Sequence, residues 1–139
     1  MQDIDYILCE CELESLESFV AALEESVKIT LVKMPATCMT MIQAEDSVEF
    51  QPFYLGEALT TDCEVLINNT RGIGICLGDE PVRSYCIAFI AAYTQLPGIN
   101  LEQVDNFLVQ QSALISQKEK IENALILRTK VDFKLMEQD

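Results

Sequence analysis

Apolar residues recur near the start of the chain at three- and four-residue steps: Ile4, Leu8, Cys11, Leu16, Phe19, Val20 and Leu23. That period predicts a helix over residues 4–25. Its other face carries Glu10, Glu14, Glu17, Glu24 and Glu25, and no basic residue precedes Lys28. A solvated surface accounts for such a face, and a docking surface for a basic partner is the sharper alternative. The pattern then changes to period two. Residues 29–32 predict a short strand, Met34-Pro35-Ala36 a break, and residues 37–43 a second strand, because proline cannot donate to a ladder. Residues 53–68 alternate most cleanly. Leu59, Thr61, Cys63, Val65 and Ile67 fall on one face, and Thr60, Asp62, Glu64 and Asn68 on the other, with Leu66 the exception. One buried and one wet face is the mark of an antiparallel sheet.

Gly56 near the start of that strand marks a bulge, and Asn68-Asn69-Thr70 signals a turn. Residues 71–77 return as a fourth strand. Arg71, Ile73, Ile75 and Leu77 share one face; Gly72, Gly74 and Cys76 share the other. A glycine-lined strand face predicts close approach of another backbone. A helix of the same domain, another protein or a ligand could each supply it. Asp79 then suits an N-cap and Pro81 the first turn of a helix over residues 82–96, which is apolar nearly all round and therefore buried on most sides. Pro97-Gly98 ends it. Asn100 and Gln103 have capping-box spacing for a last helix. Its inner face reads Leu101, Val104, Phe107, Leu108, Leu114, Ile121 and Leu125, and it runs to about Leu127. The order α-β-β-β-β-α-α predicts an α+β fold: an antiparallel sheet of about four strands, an N-terminal helix and two C-terminal helices.

Composition narrows the chemistry. The chain has 139 residues, half of them hydrophobic, so a single domain over 1–139 is expected. A net charge of −14 argues against nucleic acid and against anionic membrane as partners. No segment approaches the roughly 20 apolar residues of a membrane span, and Met1-Gln2-Asp3-Ile4-Asp5 lacks the basic start of a signal peptide. Cytoplasmic localisation is the expectation, and the six cysteines are then reduced thiols. Histidine is absent, which removes the commonest general base and metal ligand.

The remaining candidates are few. Gly72-Ile73-Gly74-Ile75-Cys76-Leu77-Gly78 misses the dinucleotide pattern, because its third glycine comes one residue late. The amides after Gly78, with Arg83 one turn in, could receive an anion; an N-cap beside a surface arginine is the simpler reading. Cys9-x-Cys11 is too short and isolated for zinc, and no metal site is expected. Thr61 and Ser84 lack an evident base. Glu57 and Asp62 stand five residues apart, on opposite strand faces.

Three stretches taken in order carry a family resemblance: residues 53–61 (FYLGEALTT), residues 71–79 (RGIGICLGD) followed by Arg83, and Val131-Asp132-Phe133 near the end. The chain resembles PhnG, a small subunit of the bacterial carbon–phosphorus lyase core complex. The likeness runs from the first helix to the tail. It implies a single PhnG-like domain whose tail, residues 129–139 with Val131, Asp132 and Phe133, docks on partners. It implies a role, with other core subunits, in displacing adenine from MgATP by a phosphonate, giving a ribose 1-phosphonate 5-triphosphate. MgATP is then a substrate of the complex, and no cofactor is expected on this chain alone. Catalysis by the isolated chain is not expected, since the nucleosidase step is usually assigned to a larger subunit. Relatives often carry an acidic residue where Ile90 stands and a second aromatic where Lys134 stands.

Two roles follow for Glu57, Thr61, Arg71, Gly72, Gly74, Asp79 and Arg83: contact with partner subunits, or contact with ATP phosphates or the phosphonate. The alternative without the resemblance is an acidic α+β interaction domain with no part in phosphonate chemistry. Self-association of the isolated chain stays open, because surfaces meant for partners can pair with copies of themselves.

Overall fold

The computed structural model describes residues 3–45, 48–49 and 51–137. They group into two compact units, Met1–Cys11 with Glu102–Asp139, and Glu12–Leu101.

The expected N-terminal helix is two helices, α1 (Ile4–Glu10) and α2 (Leu13–Glu24). The apolar steps already contain the break: Cys11 to Leu16 is a five-residue step, which no single helical stripe accommodates. Cys11 is extended at ψ 164° and ends α1. Neither helix has a side-chain cap, and α2 has no basic residue in its last turn. The fold of α2 therefore rests on burying Leu16, Val20 and Leu23 rather than on favourable ends.

Three strands follow, not four. β1 (Ile29–Glu45), β2 (Pro52–Ile67) and β3 (Thr70–Leu77) form one antiparallel sheet in the order β1-β2-β3. The chain does not break at Pro35. It passes the proline at a register irregularity between Lys33, opposite Glu64, and Ala36, opposite Asp62. A bulge frees the proline from the ladder bond it cannot make, so one strand runs through. The bulge at Gly56 is present, between the pairs Ile42–Gly56 and Gln43–Tyr54, and Gly56 has φ +153°. Asn68 and Asn69, at φ 49° and 70°, close the β2–β3 hairpin with the two positive-φ residues a tight twisted turn demands.

α3 (Pro81–Tyr93) lies across β2 and β3. Burial along β3 alternates strictly, glycines and Cys76 inward, Arg71, Ile73, Ile75 and Leu77 outward. A Cβ on Gly72 would lie 2.2 Å from the Ala88 carbonyl oxygen; one on Gly74 would lie 2.2 Å from that of Ser84. The neighbour expected over the glycine face is thus α3 itself. Ser84, Ala88 and Ala92, at successive four-residue steps, are its small side, and all three are buried. Thr61, Cys63, Val65 and Ile67 of β2 complete this core.

In the other unit, α4 (Glu102–Glu137) is one 36-residue helix. It includes residues 128–137, which the sequence places beyond the helix as a tail. Its buried stripe is Val104, Phe107, Leu108, Gln111, Ser112 and Ile115, whereas Leu114, Ile121 and Leu125 are exposed. Polar residues at two stripe positions disguise the true period. The Tyr6 hydroxyl of α1 bonds the Glu119 carboxylate of α4, which pushes the phenol up to about 12. Among the described residues, no helix is long and apolar enough to cross a membrane.

Candidate functional site

The glycine motif and the start of α3 meet at one corner, built around Thr61. This side chain is fully buried. Its hydroxyl donates to the Gly78 carbonyl at 2.6 Å and accepts from the Glu80 amide at 3.0 Å. Gly78 has φ +83°, a left-handed conformation that glycine adopts without strain, and its amide donates to Leu59 O at 2.8 Å. The corner is therefore tied on three sides. Asp79 is exposed and stands one residue outside the helix; the N-cap is Glu80, with no side-chain cap bond, and Pro81 opens the helix. Proline fixes the first turn, which moves the start one residue past the expected cap.

Arg83 is not a surface arginine. It is 8% exposed, and its Nε donates to the Glu80 carboxylate at 3.2 Å. Its guanidinium is thus paired within the chain and largely shielded from solvent. Gly72 and Gly74 face the α3 backbone, leaving no room for a ligand on that side. Arg71 lies on the opposite face, paired with Glu64. Glu57 is exposed and opposite Met41, beyond the end of β3. The structure thus gathers Thr61, Asp79 and Arg83 at one corner, and it separates them from Arg71 and Glu57. Val131, Asp132 and Phe133 continue α4; their side chains lie outside the described residues.

Three surfaces stand out instead. The first is the open face of the sheet, where Ile73, Ile75 and Leu77 are 48%, 56% and 69% exposed. Two ion pairs flank them, Lys33–Asp62 at 2.7 Å and Arg71–Glu64. Asp62 holds the Lys33 ammonium above its ordinary pKa, and its own Oδ1 is buried without a hydrogen-bond partner. The second is the outer half of β1 and β2. β3 ends with Leu77 opposite Thr60, so beyond that point two strands run alone, with Met39 and Met41 more than half exposed. The third is a groove of about 420 Å³ between α2, the first turns of α3 and the bulge of β1. Ala21, Leu31, Val82 and Tyr85 line it, with Glu17 and Glu24 at its edge. The Tyr85 hydroxyl donates to Glu24 at 2.8 Å; burial first, and then this carboxylate, raise its pKa.

The sequence carried a signal for each surface: apolar residues opposite the glycines, methionines in an alternating strand, and a helix face of glutamates alone. The thiols sort differently. The six cysteines are thiols outside any disulfide, four of them are buried, and burial pushes Cys63 up, away from thiolate chemistry. Among the described residues, no three His, Cys, Asp or Glu side chains are grouped to hold a metal ion.

A family model described as phosphonate metabolism protein PhnG matches residues 2–138. No curated protein matches the chain.

Proposed function

The chain belongs to the PhnG family of phosphonate metabolism proteins, and from that premise we propose that it is an accessory subunit of a carbon–phosphorus lyase core complex. With its partner subunits it serves the transfer of the ribose 5-triphosphate moiety from MgATP to a phosphonate, in the cytoplasm. Its contribution is surface rather than reacting groups. The observation that carries this reading is the exposed apolar area set on ordered strands: Ile73, Ile75 and Leu77 on the open face, Met39 and Met41 on the outer ribbon. Large apolar side chains held outward by a hydrogen-bonded sheet favour partners that bury them. The corner at Thr61 supports the same reading, because its polar groups are spent on holding β2 to the start of α3.

The test is reconstitution. The chain is co-expressed with the other core subunits of its organism, and the purified assembly is given ATP and methylphosphonate. The expected result is ribose 1-methylphosphonate 5-triphosphate with the chain present and none when it is omitted. A complex that assembles and turns over equally well without this chain would overturn the proposal.

A further inference from the structure

The sheet has two edges, and only one is defended. β1 carries Lys33, Pro35 and three register irregularities, devices that blunt an edge against pairing. β3 has no proline, lysine or bulge over its eight residues, and its one charge, Arg71, is tied to Glu64 of β2. Its backbone alternates as strictly as its burial. The Gly78 amide bonds Leu59 O of β2 at 2.8 Å, and antiparallel pairing turns the amides of Gly72, Gly74 and Cys76 the same way. The amides and carbonyls of Arg71, Ile73, Ile75 and Leu77 therefore point off the edge of the sheet. Among the described residues nothing bonds them, and the side chains of the same four residues are exposed.

A strand is what supplies such bonds, and two sources of one can be compared. Antiparallel pairing with β3 of a second copy would set the two strands about 4.8 Å apart. α3 stands directly over β3, where a Cβ on Gly74 would lie 2.2 Å from the Ser84 carbonyl oxygen and 2.4 Å from the Ala88 amide. Two such helices side by side need about 8–10 Å between their axes. The close approach at the glycine seam thus works against a second copy and in favour of a strand that carries no helix on that face.

We propose that the edge of β3 receives an extended segment of a partner subunit, added to the sheet as a fourth strand. Its backbone bonds the free amides and carbonyls of residues 71, 73, 75 and 77. On the open face its apolar side chains continue the row of Ile73, Ile75 and Leu77; on the other face small side chains pass beside α3. Backbone bonds hold such a strand, and the alternate side chains select it. This inference rests on the accessory-subunit reading and adds to it the form of the partner.

The experiment is amide exchange on the free chain and on the reconstituted complex, read residue by residue. Gly72, Gly74 and Cys76 are expected to be slow in both. Ile73 and Ile75 are expected to exchange fast in the free chain and about a hundredfold or more slower in the complex. Ile75→Pro removes an N–H that the chain itself leaves unbonded, a change an edge strand tolerates. It is expected to cut co-purification with the other core subunits about tenfold or more. Ile75→Thr keeps the N–H and loses only the apolar side chain, and it is expected to cost much less. Should Ile75→Pro lower the thermal melt, exchange on the unaltered chain decides alone. A chain that joins the complex while Ile73 and Ile75 exchange as they do when free overturns the inference and leaves the subunit role intact. Equal losses from the two variants overturn it too, because the partner then reads the side chain and not the backbone. Edge amides already slow in the free chain at high concentration place a second copy there instead. A chain that fails to join the complex at all ends the subunit role, and this inference with it.

Discussion

β1 and β2 run side by side for the whole length of the sheet, yet their two halves live under different conditions. In the inner half, β2 is flanked by β3, and α3 presses so closely on Gly72 and Gly74 that no Cβ fits. Thr61, Cys63, Val65 and Ile67 are buried there. In the outer half, past the Leu77–Thr60 pair, the same two strands continue without a third, and their methionines face solvent. An isolated two-stranded ribbon is marginal in water. The inner half is explained by the chain itself. The outer half makes energetic sense when something else covers it.

The contrast can be broken most violently at the glycine seam. Gly74→Ala puts a methyl group 2.2 Å from the Ser84 carbonyl oxygen and 2.4 Å from the Ala88 amide. Both are backbone, so α3 as a whole must shift. A loss of about 3 kcal/mol is expected in urea unfolding. A wild-type midpoint would show that the seam is loose. Thr61→Val is the next step down. It strands the part-buried Gly78 carbonyl and Glu80 amide together, and about 2 kcal/mol should be lost.

Tyr85 gives a smaller effect with a pH signature. Its folded pKa lies above the unfolded value of about 10. The neutral phenol is favoured in the fold, so its stabilisation is complete below about pH 10 and drains away as pH rises beyond it. Tyr85→Phe should cost about 1 kcal/mol at neutral pH. It should also flatten the alkaline fall in melting temperature; an equally steep fall would assign it to other groups, Tyr6 among them. The smallest expected change in stability lies in the outer half. Met39→Ser with Met41→Ser should move the unfolding free energy of the free chain by less than about 0.5 kcal/mol. The same pair should cut incorporation into the complex several-fold, as judged by co-purification. Unimpaired incorporation would remove the outer ribbon from the interface.

The same division shows what was legible in the amino-acid pattern. The alternation of β2, the Asn68-Asn69 turn and the close approach over Gly72 and Gly74 were readable, because each depends on neighbours near in sequence or on sterics no other residue type satisfies. Pro35 misled, since a bulge lets a strand pass a proline and nothing local announces the bulge. The pattern points to Leu114 in place of Ile115 because Gln111 and Ser112 occupy core positions of α4. In the sequence alone Arg83 reads as a surface group, because its burial beside Glu80 depends on the tertiary packing of α3. The candidate site is the least legible. Residues that resemble a family motif turned out to hold β2, β3 and α3 together, and the exposed surfaces could be told apart only once the register of the sheet was known.

The central claim is that the inner half of the sheet is built by the chain and the outer half is finished by a partner. Amide hydrogen exchange on the free chain and on the reconstituted complex tests it directly. Amides of residues 61–67 and those of residues 71–77 that bond to β2 should be protected in both states, while those of residues 39–45 and 53–59 should exchange rapidly in the free chain and slow markedly on assembly. Outer-half amides that exchange at the same rate free and assembled would contradict the account.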